Sequence, residues 1–349
     1  MVAVVLASPA RKSTVTYRRR VGAVLLCLLV VAVAAVASLA IGARAVSLAE
    51  IWSALSGADG TEGEVIVRSL RVPRTVLGLV VGGSLGTAGA LIQAHTRNPL
   101  ADPGLLGVSA GASLAVVFAI SVLGLPSVLG YVWFAFAGAL LTSVLVFAIG
   151  TLAAGRRTNA TPLTLALAGT AVSALFSGLT AALLLVDATT LDAYRFWVVG
   201  SVTGRGYDVL LPVLPFLAVG LALAFAQAPA LNALGLGEDI ARGLGLSLAR
   251  TRLLGIVAIT LLTGASVATC GPIAFVGLVV PHVARLLVGP DQRWLVPLAG
   301  LLGAALLLAA DVLGRVLAPP GEVQVGVTLA FVGAPFFIAL VRRRRMAAL

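Results

Sequence analysis

Long apolar runs, separated by short segments that hold most of the charge, divide the chain into ten stretches. They cover roughly residues 21–42, 71–93, 104–124, 128–154, 160–186, 207–228, 251–270, 273–289, 294–316 and 323–341. A helix needs about 20 apolar residues to cross the hydrocarbon of a bilayer. The pattern therefore predicts an all-α, polytopic membrane protein. Residues 1–20 form a basic tail, 21–342 a ten-helix membrane domain, and 343–349 a second basic tail. The seventh and eighth runs are separated only by Cys270-Gly271-Pro272, and the eighth is short. Composition agrees: 60% of residues are hydrophobic and 11% charged, against about 25% charged in a soluble domain.

Charge placement orients the prediction. Arg11, Lys12 and Arg18 to Arg20 crowd the N-terminal tail, and Arg342 to Arg345 the C-terminal one. Basic flanks stay in the cytoplasm, so both ends are expected inside, as an even number of spans requires. Most of the 24 basic residues then fall in inside segments. The +11 net charge needs no nucleic acid to explain it, and the tails fit anionic lipid. The first run follows arginines as a signal peptide would. Its length and the spans after it argue for a retained helix. Cys27 and Cys270 both fall in apolar helix and are not expected to pair.

Lys12 is the only lysine, and it has no glycine frame around it. A P-loop needs a lysine on the nucleotide phosphates, so the chain is not expected to be an enzyme that hydrolyses ATP. A carrier working alone off an ion gradient would usually keep an ionisable group at membrane depth. Asp311 and Glu322 fall near helix ends, and Asp187, Asp192 and Asp208 in an outside loop. That points to a separate motor. His95 and His282 are the only histidines and cannot make a metal site by themselves. The spans supply no constellation for an intramembrane enzyme either.

Local patterns add candidate surfaces. In the inside segment at about 229–250, Leu236, Ile240 and Leu244 fall at i, i+4 and i+8. Glu238 and Asp239 suit the start of a short helix, and Gly243 or Gly245 its end. Such a helix fits a groove on a partner or the lipid interface. Arg68, Arg71 and Arg74 recur before the second span, with Arg315 on the same side. They could pair with Asp311 or Glu322, snorkel, or meet an acidic partner. Gly78, Gly82, Gly83, Gly86 and Gly89 permit close helix approach. Pro99 and Pro103 break the helix after them. In the fifth span Ser173, Ser177 and Thr180 share a face, with bonding back to their own helix as the alternative. Pro281 is expected to kink or end the eighth span and put His282 and Arg285 at the inside surface.

Three segments carry a resemblance over about residues 20–342. They are Arg71-Val-Pro-Arg74 continuing to Gln93-Ala-His95-Thr-Arg97-Asn98-Pro99-Leu100-Ala-Asp102-Pro103-Gly104; Leu234-Gly235-Leu236-Gly237-Glu238-Asp239-Ile240-Ala241-Arg242-Gly243-Leu244-Gly245; and Gly271-Pro-Ile-Ala-Phe275-Val-Gly277 to Pro281-His282-Val-Ala-Arg285. Together they resemble the FecCD-type permease subunits of type II ABC importers for iron-siderophores, haem and cobalamin. Gln324 stands where that family more often has proline. The resemblance implies the type II importer permease fold in a bacterial inner membrane, with iron(III)-siderophore as cargo and haem or cobalamin as alternatives. It implies two ABC ATPase subunits carrying ATP and Mg, with no cofactor on this chain. It also implies a periplasmic or lipoprotein substrate-binding protein, and a second permease, identical or different. Gly237, Glu238, Ala241, Leu244 and Gly245 would contact the ATPase. Arg71, Arg74 and Arg315 would face the binding protein. Asn98, Leu100, Ser173, Ser177 and Thr180 would line or gate the path.

Overall fold

The computed structural model describes residues 16–42, 44–57, 61–153, 162–318 and 321–342. Most of the two expected basic tails lies outside them. The elements in order are α1 (Tyr17–Ala40), α2 (Leu48–Ser56), α3 (Glu62–Ile66), α4 (Val72–Thr96), α5 (Val108–Ser121), α6 (Val128–Ala153), α7 (Pro162–Val186), α8 (Ala188–Val198), α9 (Tyr207–Ala226), α10 (Ala228–Gly235), α11 (Glu238–Gly243), α12 (Leu248–Cys270), α13 (Val276–Val288), α14 (Gln292–Leu317) and α15 (Val325–Arg342). No strand occurs among the described residues.

Among the described residues, seven helical stretches are long and apolar enough to cross a membrane: α1, the continuous run Glu62–Thr96, α6, α7, α9, α12 and α14. Shorter apolar helices, Val108–Ser121, Val276–Val288 and Val325–Ala339, match the other three expected spans. The difference has a backbone cause. α5 follows Pro103 and a single 3-10 turn, Pro103–Leu106. α13 follows Gly271 at φ +73° and Phe275 at φ +69°, so α12 cannot run on into it. The broken backbone is satisfied inside the protein, as it must be at membrane depth. Ser201 N donates to Cys270 O at 2.7 Å, and Gly326 N to Gly200 O at 3.1 Å. The second span also departs from expectation. It runs back to Glu62 through a π-helical turn, Val67–Arg71.

α4 is the central helix. Of its most apolar window 78% is buried, against 17% for α1 and α7. Its glycines make that possible. A Cβ on Gly82 would lie 2.5 Å from Gly303 O, on Gly86 2.2 Å from Ala299 O, and on Gly89 2.0 Å from Gly277 O. α14 and α13 therefore lie against α4 backbone to backbone. α4 is about 37 Å long at 1.5 Å per residue. It carries Arg74 in its first turn and ends next to Arg97, so these two mark opposite ends of the bundle. α1 and α14 run side by side. Tyr17 and Trp294 stack edge to face at 5.6 Å near their starts, and Arg315 reaches the end of α1.

Candidate functional site

At the Arg74 end, five charged side chains from three parts of the chain converge. Arg74 donates to Asp311 from Nη2 at 2.7 Å and from Nε at 3.1 Å. It also pairs with Glu322 at 2.8 Å. Arg315, one turn after Asp311 on α14, pairs with the same carboxylate. Its Nη1 also donates to Ser38 O at 2.7 Å and Ile41 O at 3.0 Å. Arg71 Nη1 donates to Leu39 O at 2.6 Å, and its Nη2 to Arg44 O. Arg71 and Arg315 thus cap the orphan carbonyls at the end of α1. Both are buried, at 6% and 5% exposure. The structure brings the three predicted arginines together, but turned inward onto Asp311, Glu322 and backbone. Arg68 lies on the exposed side of the π-helical turn.

Glu322 sits in the segment between α14 and α15. Burial pushes its carboxyl up, but hydrogen bonds and charge from Arg74, with Thr203 Oγ1 at 3.1 Å, outweigh that and hold it below the usual range. At the opposite end burial also pushes the Asp291 carboxyl up. There Asn232, the Arg293 N–H and Arg20 outweigh it. Groups lowered on folding stabilise the fold above their unfolded pKa of about 4. That contribution is lost as pH falls through the lower folded value. The melting temperature is therefore expected to drop on acidification below pH ~4, and Glu322→Gln combined with Asp291→Asn to flatten that limb in a thermal-shift series.

At the Arg97 end, glycine fixes the predicted coupling segment. α10 stops at Gly235, Gly237 at φ +111° reverses the chain, and Glu238 opens the six-residue α11. Gly245, at φ +82°, lets the chain leave toward α12. Leu236, Ile240 and Leu244 are 61%, 54% and 67% exposed. They make an outward apolar set, although Leu236 caps α10 and does not belong to the same helix. Ala241 corrects the expectation of an ATPase contact. It is wholly buried, and its carbonyl accepts from Leu246 N at 3.0 Å. Glu238 is a hub as well as a surface residue. Its carboxylate lies 2.6 Å from Arg252, 3.6 Å from Arg242 and 3.8 Å from Arg97. On α10, Asn232 Nδ2 donates to Asp291 Oδ1 at 2.8 Å, and Arg20 Nη1 donates to Asp291 Oδ2 at 3.1 Å. Sequence reasoning missed Arg97, Arg252, Asn232 and Asp291 as partners. The only signal was charge at helix ends.

The predicted path residues separate. Asn98 is exposed and Leu100 half-buried, in the turn that closes α4. Leu100 N donates to Asn98 Oδ1 at 3.0 Å. Along α7, Ser173 is half-buried, Ser177 exposed and Thr180 buried. Thr180 Oγ1 donates to its own helix at Phe176 O, 2.7 Å, so the alternative reading holds for that residue. Pro281 does not end its helix. α13 continues to Val288, His282 is buried at 9% exposure and Arg285 is half-buried. The expectation that both reach the surface is corrected.

Comparison with known proteins places this geometry. The profile of the FecCD transport family matches residues 28–343. The chain is 47% identical over 320 residues to the ferric enterobactin transport system permease protein FepD of Escherichia coli (strain K12), covering 92% of this chain and 94% of that one. It is 40% identical over 325 residues to the iron(3+)-hydroxamate import system permease protein FhuB of Bacillus subtilis (strain 168), covering 93% and 82%. A solved inward-facing conformation of a metal-chelate type ABC transporter superposes with a TM-score of 0.80 at 29% identity. It covers 93% of this chain and 99% of that one.

Proposed function

The chain belongs to the FecCD transport family, and on that premise we propose that it is the membrane-spanning permease of an ATP-driven importer for iron(III)-siderophore complexes. Identity of 47% over 320 residues to a ferric enterobactin permease supports this cargo, ahead of cobalamin, whose import permease from Halobacterium salinarum is 42% identical over 289 residues. The chain forms the path and supplies no ATPase chemistry; ATP and Mg reside on two partner ATPases. The Arg97 end faces the cytoplasm and the Arg74 end faces out, in agreement with basic residues on the inside.

The observation that carries the reading is the outward apolar set of Leu236, at the end of α10, with Ile240 and Leu244 between Gly237 and Gly245. Three large apolar side chains at a charged, cytoplasmic end belong in a groove of the ATPase. Gly237 and Gly245 shape that contact, and Glu238 supports it. At the outer end Arg71, Arg74 and Arg315 oppose only Asp311 and Glu322 within the cluster. The surplus positive charge serves docking of an acidic substrate-binding protein by steering and register. The exposed faces of α7 and α15, with Leu167, Leu175, Phe331 and Val332, pack against a second permease. Ser173 and Ser177 lie along the path, and Asn98 and Leu100 close its inner end.

The test is co-expression with the neighbouring ATPase and purification in nanodiscs, wild type against Ile240→Asp with Leu244→Asp. Wild type is expected to purify as a complex that hydrolyses ATP. The variant is expected to stay monodisperse while co-purifying ATPase falls about tenfold or more, since buried charge at an interface costs over 2 kcal/mol. Equal assembly of both would reject the coupling surface. Uptake by the purified permease alone would make it a secondary carrier. Ferric enterobactin, a ferric hydroxamate, haem and cobalamin, each with the cognate binding protein, then rank the cargo.

A further inference from the structure

Glu238 does more than sit at the motor face. Its carboxylate is shared by Arg252 in the first turns of α12, Arg242 on α11 and Arg97 at the end of α4. Only 30% of the Glu238 side chain is exposed and 15% of Arg252, so this link is shielded more than a surface pair. Arg97 is one of two non-glycine residues described at positive φ, +50°. That conformation disfavours a side chain bearing a Cβ, yet an arginine holds it. The guanidinium leads back to Glu238, and the next residues are Asn98-Pro99-Leu100. A single carboxylate thus ties the short α11, otherwise held by glycines at both flanks, to the ends of two bundle helices.

We propose that Glu238, Arg252 and Arg97 form a relay that makes the closing turn of α4 move with α11. Arg97 and Arg252 are positioning residues: they touch neither cargo nor ATP. Displacement of α11 by the motor drags Glu238. Glu238 carries Arg252 and the start of α12 with it, and through Arg97 it re-aims the Asn98–Leu100 turn. α11 has six residues with Ala241 seated in the core, and the ion pairs are the ties that lead from it to Arg97 and α12, so cutting them uncouples those two ends from its motion. The inference rests on the assignment of α10 and α11 to the ATPase.

The experiment uses the full permease–ATPase complex in nanodiscs and needs no cargo. The probe is the alkylation rate of a cysteine at the exposed position 98 (Asn98→Cys), with and without ATP, Mg and vanadate. Cys27 and Cys270 are buried and give a low background. In the parent the rate is expected to change about threefold or more on nucleotide trapping, the scale of coupling through a side-chain network. Arg97→Gly removes the guanidinium but suits φ +50°, so it should fold and bind the ATPase. Arg97→Gly and Arg252→Ala are each expected to abolish the nucleotide response while ATPase co-purification stays at the parent level. Arg97→Lys and Arg252→Lys, which keep the positive charge facing Glu238, should each restore part of it. A full response in Arg97→Gly and Arg252→Ala overturns the relay. Loss of ATPase co-purification in those variants also overturns it, because the cluster would then be a docking contact. No response in a parent that does bind ATPase overturns it too. A parent that fails to bind ATPase instead removes the coupling assignment itself, a distinguishable result.

Discussion

Asp311→Ala is expected to eliminate the folded permease, not merely weaken it. The Asp311 side chain is 3% exposed and receives Arg74 and Arg315, whose own side chains are 12% and 2% exposed. Removing the carboxylate leaves two buried guanidiniums close together, with Glu322 at the rim as their remaining acid. Breaking a buried ion pair by deleting one partner costs about 3–5 kcal/mol, a large part of a domain stability of about 5–15 kcal/mol. Size-exclusion chromatography of the solubilised variant should show little or no monodisperse protein. Glu322→Gln, at 30% exposure, should survive with a lowered melting temperature. The decisive control removes the buried triad of Arg74, Asp311 and Arg315 and keeps Arg71 and Glu322. Exchanging a buried ion network for apolar groups of similar volume is often neutral. Asp311→Leu with Arg74→Leu and Arg315→Met should recover folding where the single variant fails. It should also lose response to the binding protein, which would separate the structural use of these arginines from docking. A monodisperse Asp311→Ala with an unchanged melting temperature would show that the cluster does not close this end of the bundle.

The same cluster shows where the sequence stops being readable. Among the described residues, the apolar runs coincide with seven helical stretches long enough to cross and three shorter apolar helices, because a bilayer imposes a length of apolar helix that composition reports directly. Arg74 and Asp311 lie 237 positions apart, and no local pattern says which of pairing, snorkelling or docking the arginine serves. The acids at 311 and 322 were weighed as partners, but only the packing of α4 on α14 brings them together. Ala241 illustrates a subtler limit. The i, i+4, i+8 spacing picked out three residues that are exposed, Leu236, Ile240 and Leu244, but only Ile240 lies within the six-residue α11, and alanine gives no hint that position 241 takes the buried side. Pro281 misled for a different reason. A proline inside a helix removes one i→i−4 bond. Pro281 is the sixth residue of α13, and the Gly277 carbonyl it leaves free accepts instead from Gln93 Nε2 at 3.4 Å, so the helix continues. The start of α13 at Val276 follows from Phe275 at positive φ, which propensity disfavours and the fold imposes. The path residues were legible as hydroxyls on a helix face, but not how each is satisfied. Thr180 bonds inward to its own helix, and Ser177 faces out.

The glycines of α4 should divide sharply although their spacing makes them look alike. Gly78, Gly82, Gly86 and Gly89 all sit on small-residue spacing, and Gly83 sits beside them. A Cβ on Gly86 would fall 2.2 Å from Ala299 O, and on Gly89 2.0 Å from Gly277 O. Backbone cannot give way there unless whole helices separate. Gly86→Ala and Gly89→Ala are therefore expected to cost about 3 kcal/mol or more, the upper range of overpacking. Gly303→Ala belongs with them, since its Cβ would meet Gly82 O at 2.2 Å. On Gly78 the nearest atom is a Leu308 methyl at 2.7 Å, the far end of a side chain that can rotate, so the loss should be smaller. Gly83 has only Gly300 O at 3.6 Å, which is ordinary contact. There alanine restores helix propensity of about 0.8–1.0 kcal/mol and should raise the melting temperature. Opposite signs at adjacent turns of one helix cannot come from hydropathy, which the two substitutions change equally. They can come only from how closely α4 approaches α13 and α14. Thermal-shift values for Gly83→Ala and Gly86→Ala that moved together would mean the helices do not touch backbone to backbone. The central position of α4, and with it the rigid link between the Arg74 and Arg97 ends, would then have to be abandoned.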